Sequence, residues 1–143
     1  MNYANINILA IIAAAVAAWI FGAVYYGALG KAWIAALGET AESLKAKQTG
    51  KSGFAKAAPF ILSFVAELGM AYVFFWLLGH LGAYTIRAGV ISGAFCWVGF
   101  ILTTIAVNNA YPGRKPMLTV IDAGHWLGVL AIIGAMLGGI GQS

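Results

Sequence analysis

Apolar residues run along this chain in four long blocks divided by short polar stretches: approximately Ile6 to Leu29, Ala57 to Gly79, Ile86 to Asn108 and Met117 to Ile140. Each block reaches or exceeds the roughly 20 residues that a helix needs to cross a hydrocarbon layer. The pattern predicts an all-α polytopic membrane protein: one domain over residues 1–143, a four-transmembrane-helix bundle with its core between the helices. The connection 30–56 is the only long one. Its first part, Lys31 to Gly38, sets Trp33, Ile34 and Leu37 on one face beside a cation, which predicts a short interfacial amphipathic helix anchored in the headgroups by Trp33 and Lys31. Its second part, Glu39 to Gly53, is polar, with Glu42 three residues before Lys45 extending the helical pattern before Gly50 and Gly53 loosen it. Pro59 predicts that the second membrane helix begins close to Ala58, where a missing N–H costs least.

Composition narrows the class without naming a function. Hydrophobic residues make up 62% of the 143 and charged residues 8%, against roughly 45–50% and 25% in soluble domains. The net charge of +4 is sorted by position rather than gathered into a nucleic-acid footprint. Lys31, Lys45, Lys47, Lys51 and Lys56 lie between the first two spans, Arg114 and Lys115 between the last two, and only Arg87 falls on the opposite side. The positive-inside rule therefore places both basic loops in the cytoplasm and both termini outside. The lysines read as a surface turned towards anionic lipid, with Arg114 and Lys115 at the interface. Without a positive segment ahead of it, and at this length, the first span reads as a retained helix. Cys96, the single cysteine, falls inside the third span and reads as an apolar filler.

Glu67 stands near the middle of the second span. At about 1.5 Å of rise per residue from Ala58 it lies roughly 12–15 Å deep, near the midplane. A carboxyl there faces the bundle interior or a water-filled cavity, and is glued to a neighbour or given a proton, ion or ligand to hold. Asp122 and His125 share a face of the fourth span, three positions apart, at depths of roughly 9 and 13 Å. They can satisfy each other, and His125 comes out nearly level with Glu67. If the second and fourth helices are neighbours, the three converge in the cytoplasmic half, with Tyr25, Tyr26, Thr104 and Asn108 near the mouth of the site and Trp19 at a similar depth. This is the expected binding site for a proton, cation or small ligand.

No reaction is specified. The repeated Glu-x-x-His of helical di-iron proteins is missing, and His80 at the outer surface cannot pair with His125 across one haem. Gly50-Lys51-Ser52 lacks the leading glycine and strand of a P-loop, and no nucleophile elbow, zinc-binding His-Glu-x-x-His or redox Cys-x-x-Cys occurs. No catalytic residue, metal ligand or cofactor is therefore assigned. Gly89 and Gly93, Gly124 and Gly128, and Gly134 and Gly138 are small-xxx-small pairs that predict close helix contacts, some of them seams of a homo-oligomer. Glu67-Leu-Gly69 and Asp122-Ala-Gly124 also form a faint acid-x-Gly echo in two like-oriented helices.

Gly22-Ala-Val-Tyr25-Tyr26, Gly30-Lys31-Ala-Trp33, Trp97-Val-Gly99-Phe100 and Asp122-Ala-Gly124-His125-Trp126 together resemble a bacterial membrane family known as domain of unknown function number 1761. The resemblance covers nearly the whole chain and implies a four-helix inner-membrane protein without an assigned activity. It also implies that tryptophan is common at the position of Tyr25, asparagine at that of Asp122 and tyrosine at that of His125, so the acid–histidine pair would be this chain's own. Three readings follow: a small oligomeric transporter or channel-like protein, an accessory subunit whose polar groups only join helices, or a cofactor-dependent membrane enzyme.

Overall fold

The computed structural model describes residues 6–142, so the outermost ends of the 1–143 domain lie outside the described residues. Helix α1, Ile8–Leu37, opens on Asn7, whose side chain accepts a hydrogen bond from the Ala10 N–H at 3.0 Å, as a good N-cap does. It does not stop near Leu29. Lys31-Ala-Trp-Ile-Ala-Ala-Leu37 are competent helix formers that carry α1 through Gly30, so the separate interfacial helix expected there is instead the last two turns of the first span. The actual stop is Gly38, at φ 76°, where the Gly38 and Glu39 N–H groups close back onto Ala35 and Ile34. Only glycine adopts that left-handed turn without strain.

Thr40 and Ser43 form a reciprocal capping box at the head of α2, Ala41–Gln48, which buries none of its residues. Helix α3, Gly53–Leu81, is capped by Ser52 and starts well before Ala58, so Pro59 sits inside it. The bond that Pro59 cannot make leaves the Ala55 carbonyl open. Ala55 is exposed, so solvent can satisfy it. The third span is one continuous helical run, Ile86–Ala110, made of α4 (Ile86–Cys96), a π-helical segment (Trp97–Leu102) and α5 (Thr103–Ala110). Helix α6, Pro116–Ile140, begins with proline at its first position. These four runs are long and apolar enough to cross a membrane, and large apolar side chains such as Leu9, Phe60, Leu62, Val73, Phe95 and Phe100 face outward from them. The protein is thus a multi-pass membrane protein by the length and character of its helices.

Helix α6 is the centre of the bundle, packed against α1, α3 and α4, while α1 and α3 also pack on each other. Ala10, Ala14, Ala15 and Ala18 of α1, Phe74, Phe75 and Leu78 of α3, and Val129, Ile133 and Leu137 of α6 make one core. The third span stands apart from this triangle. Its only buried residues are Gly89 and Gly93, because it meets α6 backbone to backbone. A Cβ on Gly89 would run into the Gly134 carbonyl, one on Gly138 into the Thr85 carbonyl, and one on Gly93 would lie 2.7 Å from the Leu130 carbonyl oxygen. Gly124 and Gly128 serve another seam, making room for the Tyr25 hydroxyl and the Phe21 ring of α1. All three glycine pairs are therefore used within the chain. The acid-x-Gly echo has no structural counterpart, since Gly69 has open space beside it where Gly124 receives Tyr25.

Candidate functional site

Because α1 ends at Leu37 and not at Leu29, its aromatic face extends two turns further and reaches the fourth span. Tyr26 and Trp33, seven residues apart, point the same way. The Tyr26 hydroxyl donates to Asp122 Oδ1 at 2.8 Å and the Trp33 indole N–H donates to the same oxygen at 3.1 Å. Trp33 thus packs within the bundle with its indole N–H turned to Asp122. Tyr25 uses its hydroxyl to donate to the Ile121 carbonyl at 2.9 Å, and Lys115 donates to the Ala35 carbonyl at 2.8 Å, placing a cation on the carbonyl end of α1. These bonds lock the ends of α1 and α6 together at the end that carries the basic loops.

Helices α1 and α5 both pack against α6 here. The gap between them is a cleft of about 360 Å³, lined by Tyr26, Trp33, Ile105, Asn108, Asn109, Asp122 and Trp126. Its volume is in the range of small-molecule sites. Trp33 stands nearly perpendicular to Tyr26, ring centroids 5.7 Å apart at 72°, so two aromatic walls meet at a corner above the carboxylate. Asn109 donates its amide N–H to Thr119 Oγ1 at 3.1 Å, which leaves its carbonyl oxygen as an acceptor. Asp122 Oδ2 accepts no bond from the described residues. No lysine, arginine or histidine lines the cleft, so the only formal charge on its wall is that of Asp122.

His125 is buried behind this wall. Its ring lies 4.9 Å from both Tyr26 and Trp126 and stacks at 11° on Phe21, and its Nδ1 has no hydrogen-bond partner. The expected Asp122–His125 hydrogen bond is not formed, because α1 supplies two donors to Asp122 while aromatic rings enclose the imidazole. Gly22 is what admits the ring, since a Cβ there would lie 2.8 Å from His125 Nε2.

Glu67 is elsewhere. It is 1% exposed, heads the buried stripe of α3, and its Oε2 has no hydrogen-bond partner. The early start of α3 accounts for its distance from the other two. Glu67 follows Gly53 by 14 residues whereas His125 follows Pro116 by nine, so the two are not level. The cross-links agree. His125 faces Gly22, while Trp19 donates to Ser63 Oγ and the Phe60 carbonyl, at 3.1 and 3.2 Å. Glu67, a turn beyond Ser63 towards the start of α1, is therefore about 10 Å further along the bundle than His125. Among the described residues no three His, Cys, Asp or Glu side chains come together. Thr104 is exposed and lines nothing here. Of the residues singled out in the sequence, then, Tyr26, Asn108 and Asp122 share one cleft, Tyr25 and His125 brace it from behind, and Glu67 and Thr104 stand outside it.

Trp33, expected at the membrane interface, completes the cleft together with Ile105, Asn109 and Trp126, which the sequence pattern does not single out. A signal for Trp33 existed in the run Tyr26, Leu29, Trp33, Ala36, which keeps helical spacing through Gly30. Trp97, whose indole N–H donates to the Ala123 carbonyl at 2.7 Å, ties the π-helical segment to α6 beside the cleft; π-helical turns often accompany functional sites. No curated protein and no solved structure matches the chain. Residues 9–138 do match the model of a family, and the chain belongs to that family, Protein of unknown function (DUF1761).

Proposed function

We propose that this protein binds a small positively charged ligand in the cleft at Asp122, as a transporter or channel-like component of a bacterial inner membrane with its basic loops in the cytoplasm and both termini outside. One observation carries the reading: a carboxylate with one oxygen held and the other open is, among the described residues, the only charged side chain on a concave wall that three aromatic rings share with it. The seven-to-one sorting of basic residues supports that orientation, in which the cleft opens on the cytoplasmic side. Self-association belongs to the same reading, through the apolar outer face of the third span. Glu67 is outside the ligand site.

The test is binding and flux of cationic solutes with purified protein in liposomes. Asp122→Asn keeps an acceptor for Tyr26 and Trp33 and removes the charge, so it should weaken cation binding about 10–100-fold while the helices stay assembled. Unchanged binding and flux would refute the proposal. The accessory-subunit reading also has an observation in its favour, since the two bonds to Asp122 clasp α1 to α6. On that reading Asp122→Asn changes thermal stability alone.

A further inference from the structure

The side chains around Asp122 also select among cations. A divalent metal ion asks for a shell of about six or more oxygens, from carboxylates, carbonyls and waters. Among the described residues the side chains lining the cleft offer oxygens only from Asp122, Asn108, Asn109 and Tyr26, fewer than such a shell requires, and only that of Asp122 is a carboxylate. The rest of the wall is Trp33, Trp126 and Ile105 with the Tyr26 ring. Such a surface wastes a bare ion's demand for oxygen, but it suits a cation that carries its own carbon. Aromatic faces attract an ammonium group through their quadrupoles, and they also cover alkyl groups. The space of about 360 Å³ exceeds what a single ion fills.

We infer that the ligand is a primary alkylammonium ion, its N–H groups donating to Asp122 Oδ2 and the Asn109 carbonyl and its alkyl chain lying against Trp33 and Trp126. The inference rests on the cation reading above and specifies its chemical class. Each partner has a separate part. Trp33 and Tyr26 hold Oδ1 and leave Oδ2 for the ligand, Thr119 takes the Asn109 amide N–H and leaves its carbonyl oxygen as an acceptor, and Trp126, against which His125 is packed at 4.9 Å, supplies a ring with no tie to the carboxylate. No covalent step is involved.

The experiment is calorimetric titration of the protein in lipid nanodiscs with n-butylammonium, potassium, magnesium and n-butanol in turn. Binding of n-butylammonium, with no heat from the metal ions or the alcohol, is the expected result. Trp126→Leu should weaken it roughly tenfold, the loss expected for a desolvated cation–aromatic contact, and Trp126→Phe should restore most of that loss. If Trp126→Leu fails to assemble, the Trp126→Phe protein and the ligand panel still decide the matter. Binding of potassium or magnesium in preference to n-butylammonium would overturn the alkylammonium assignment while leaving a cation site. Equal binding of n-butanol, or no binding by any cation, would overturn the cation reading itself.

Discussion

Glu67 and Asp122 are both acids inside apolar helices, and the structure treats them in opposite ways. Glu67 lies on the buried stripe of α3, closed off from solvent, with one oxygen unpartnered. Asp122 lies six residues into α6, is bonded by two donors from α1, and borders a cleft. The more deeply buried acid has the less developed site. Depth in the hydropathy profile measures how costly a charge is; what makes a site is a gap between helices and partners that aim the side chain into it. That gap exists at Asp122 because α6 carries both α1 and α5, and the cleft lies between residues of these three helices.

Separating the third span from α6 should break the contrast most severely. Gly89→Leu forces a side chain into the Gly134 backbone, a clash costing about 1–3 kcal/mol or more. It should remove the α5 wall of the cleft and abolish n-butylammonium binding, while Glu67 stays shielded from carbodiimide labelling. Labelling of Glu67 in that variant would mean that the two regions are not independent. Asp122→Leu comes next. It leaves the Tyr26 hydroxyl and the Trp33 indole without their acceptor, which should lower stability by about 1–3 kcal/mol in a thermal melt. Glu67→Met should do much less, since it replaces an unpartnered oxygen by an apolar group of similar length. A melting temperature unchanged or slightly raised is expected, with ligand binding intact. A large loss of binding in Glu67→Met would place Glu67 in the functional unit after all.

The smallest effect belongs to the polar loop, far from both acids. Glu39 accepts from Lys47 and, at 2.6 Å, from the Ser43 hydroxyl. The bond from Lys47 first, then that from Ser43, holds its carboxyl below the usual carboxylate range. A folded-state value lowered in this way contributes stability above the unfolded value and loses it as pH falls through the folded one. The amide protection factors of α2, corrected for the intrinsic pH dependence of exchange, should therefore fall on acidification below the ordinary carboxylate range, with no change at the Asp122 cleft. An α2 whose protection is independent of pH would show that the pair does not fasten the loop.

The parts of the molecule that follow from local rules were legible residue by residue. The four apolar blocks became four helices, and the glycine pairs at 89 and 93 and at 134 and 138 became a close seam, because small residues are what let backbones approach. Two boundary readings went astray for one reason. The end of the apolar block at Leu29 and the N-terminal preference of Pro59 are both local signals, yet each lies in a stretch whose flanking residues or caps sustain the helix. Moving those boundaries moved everything measured from them. Trp33 came within reach of Asp122, and Glu67 slid about two turns away from His125.

By itself the sequence determined the class of protein, the number of spans and the family, since hydrophobic length and small-residue spacing are local quantities that the bilayer reads directly. Tertiary structure decided which acid has a site. Whether a carboxyl is sealed or faces a cleft depends on which helices border it and where they stop, and that is set by α6 lying at the centre, by the Gly89–Gly134 crossing and by α1 running on to Gly38. No single helix carries that information, because a gap belongs to the helices on both sides of it.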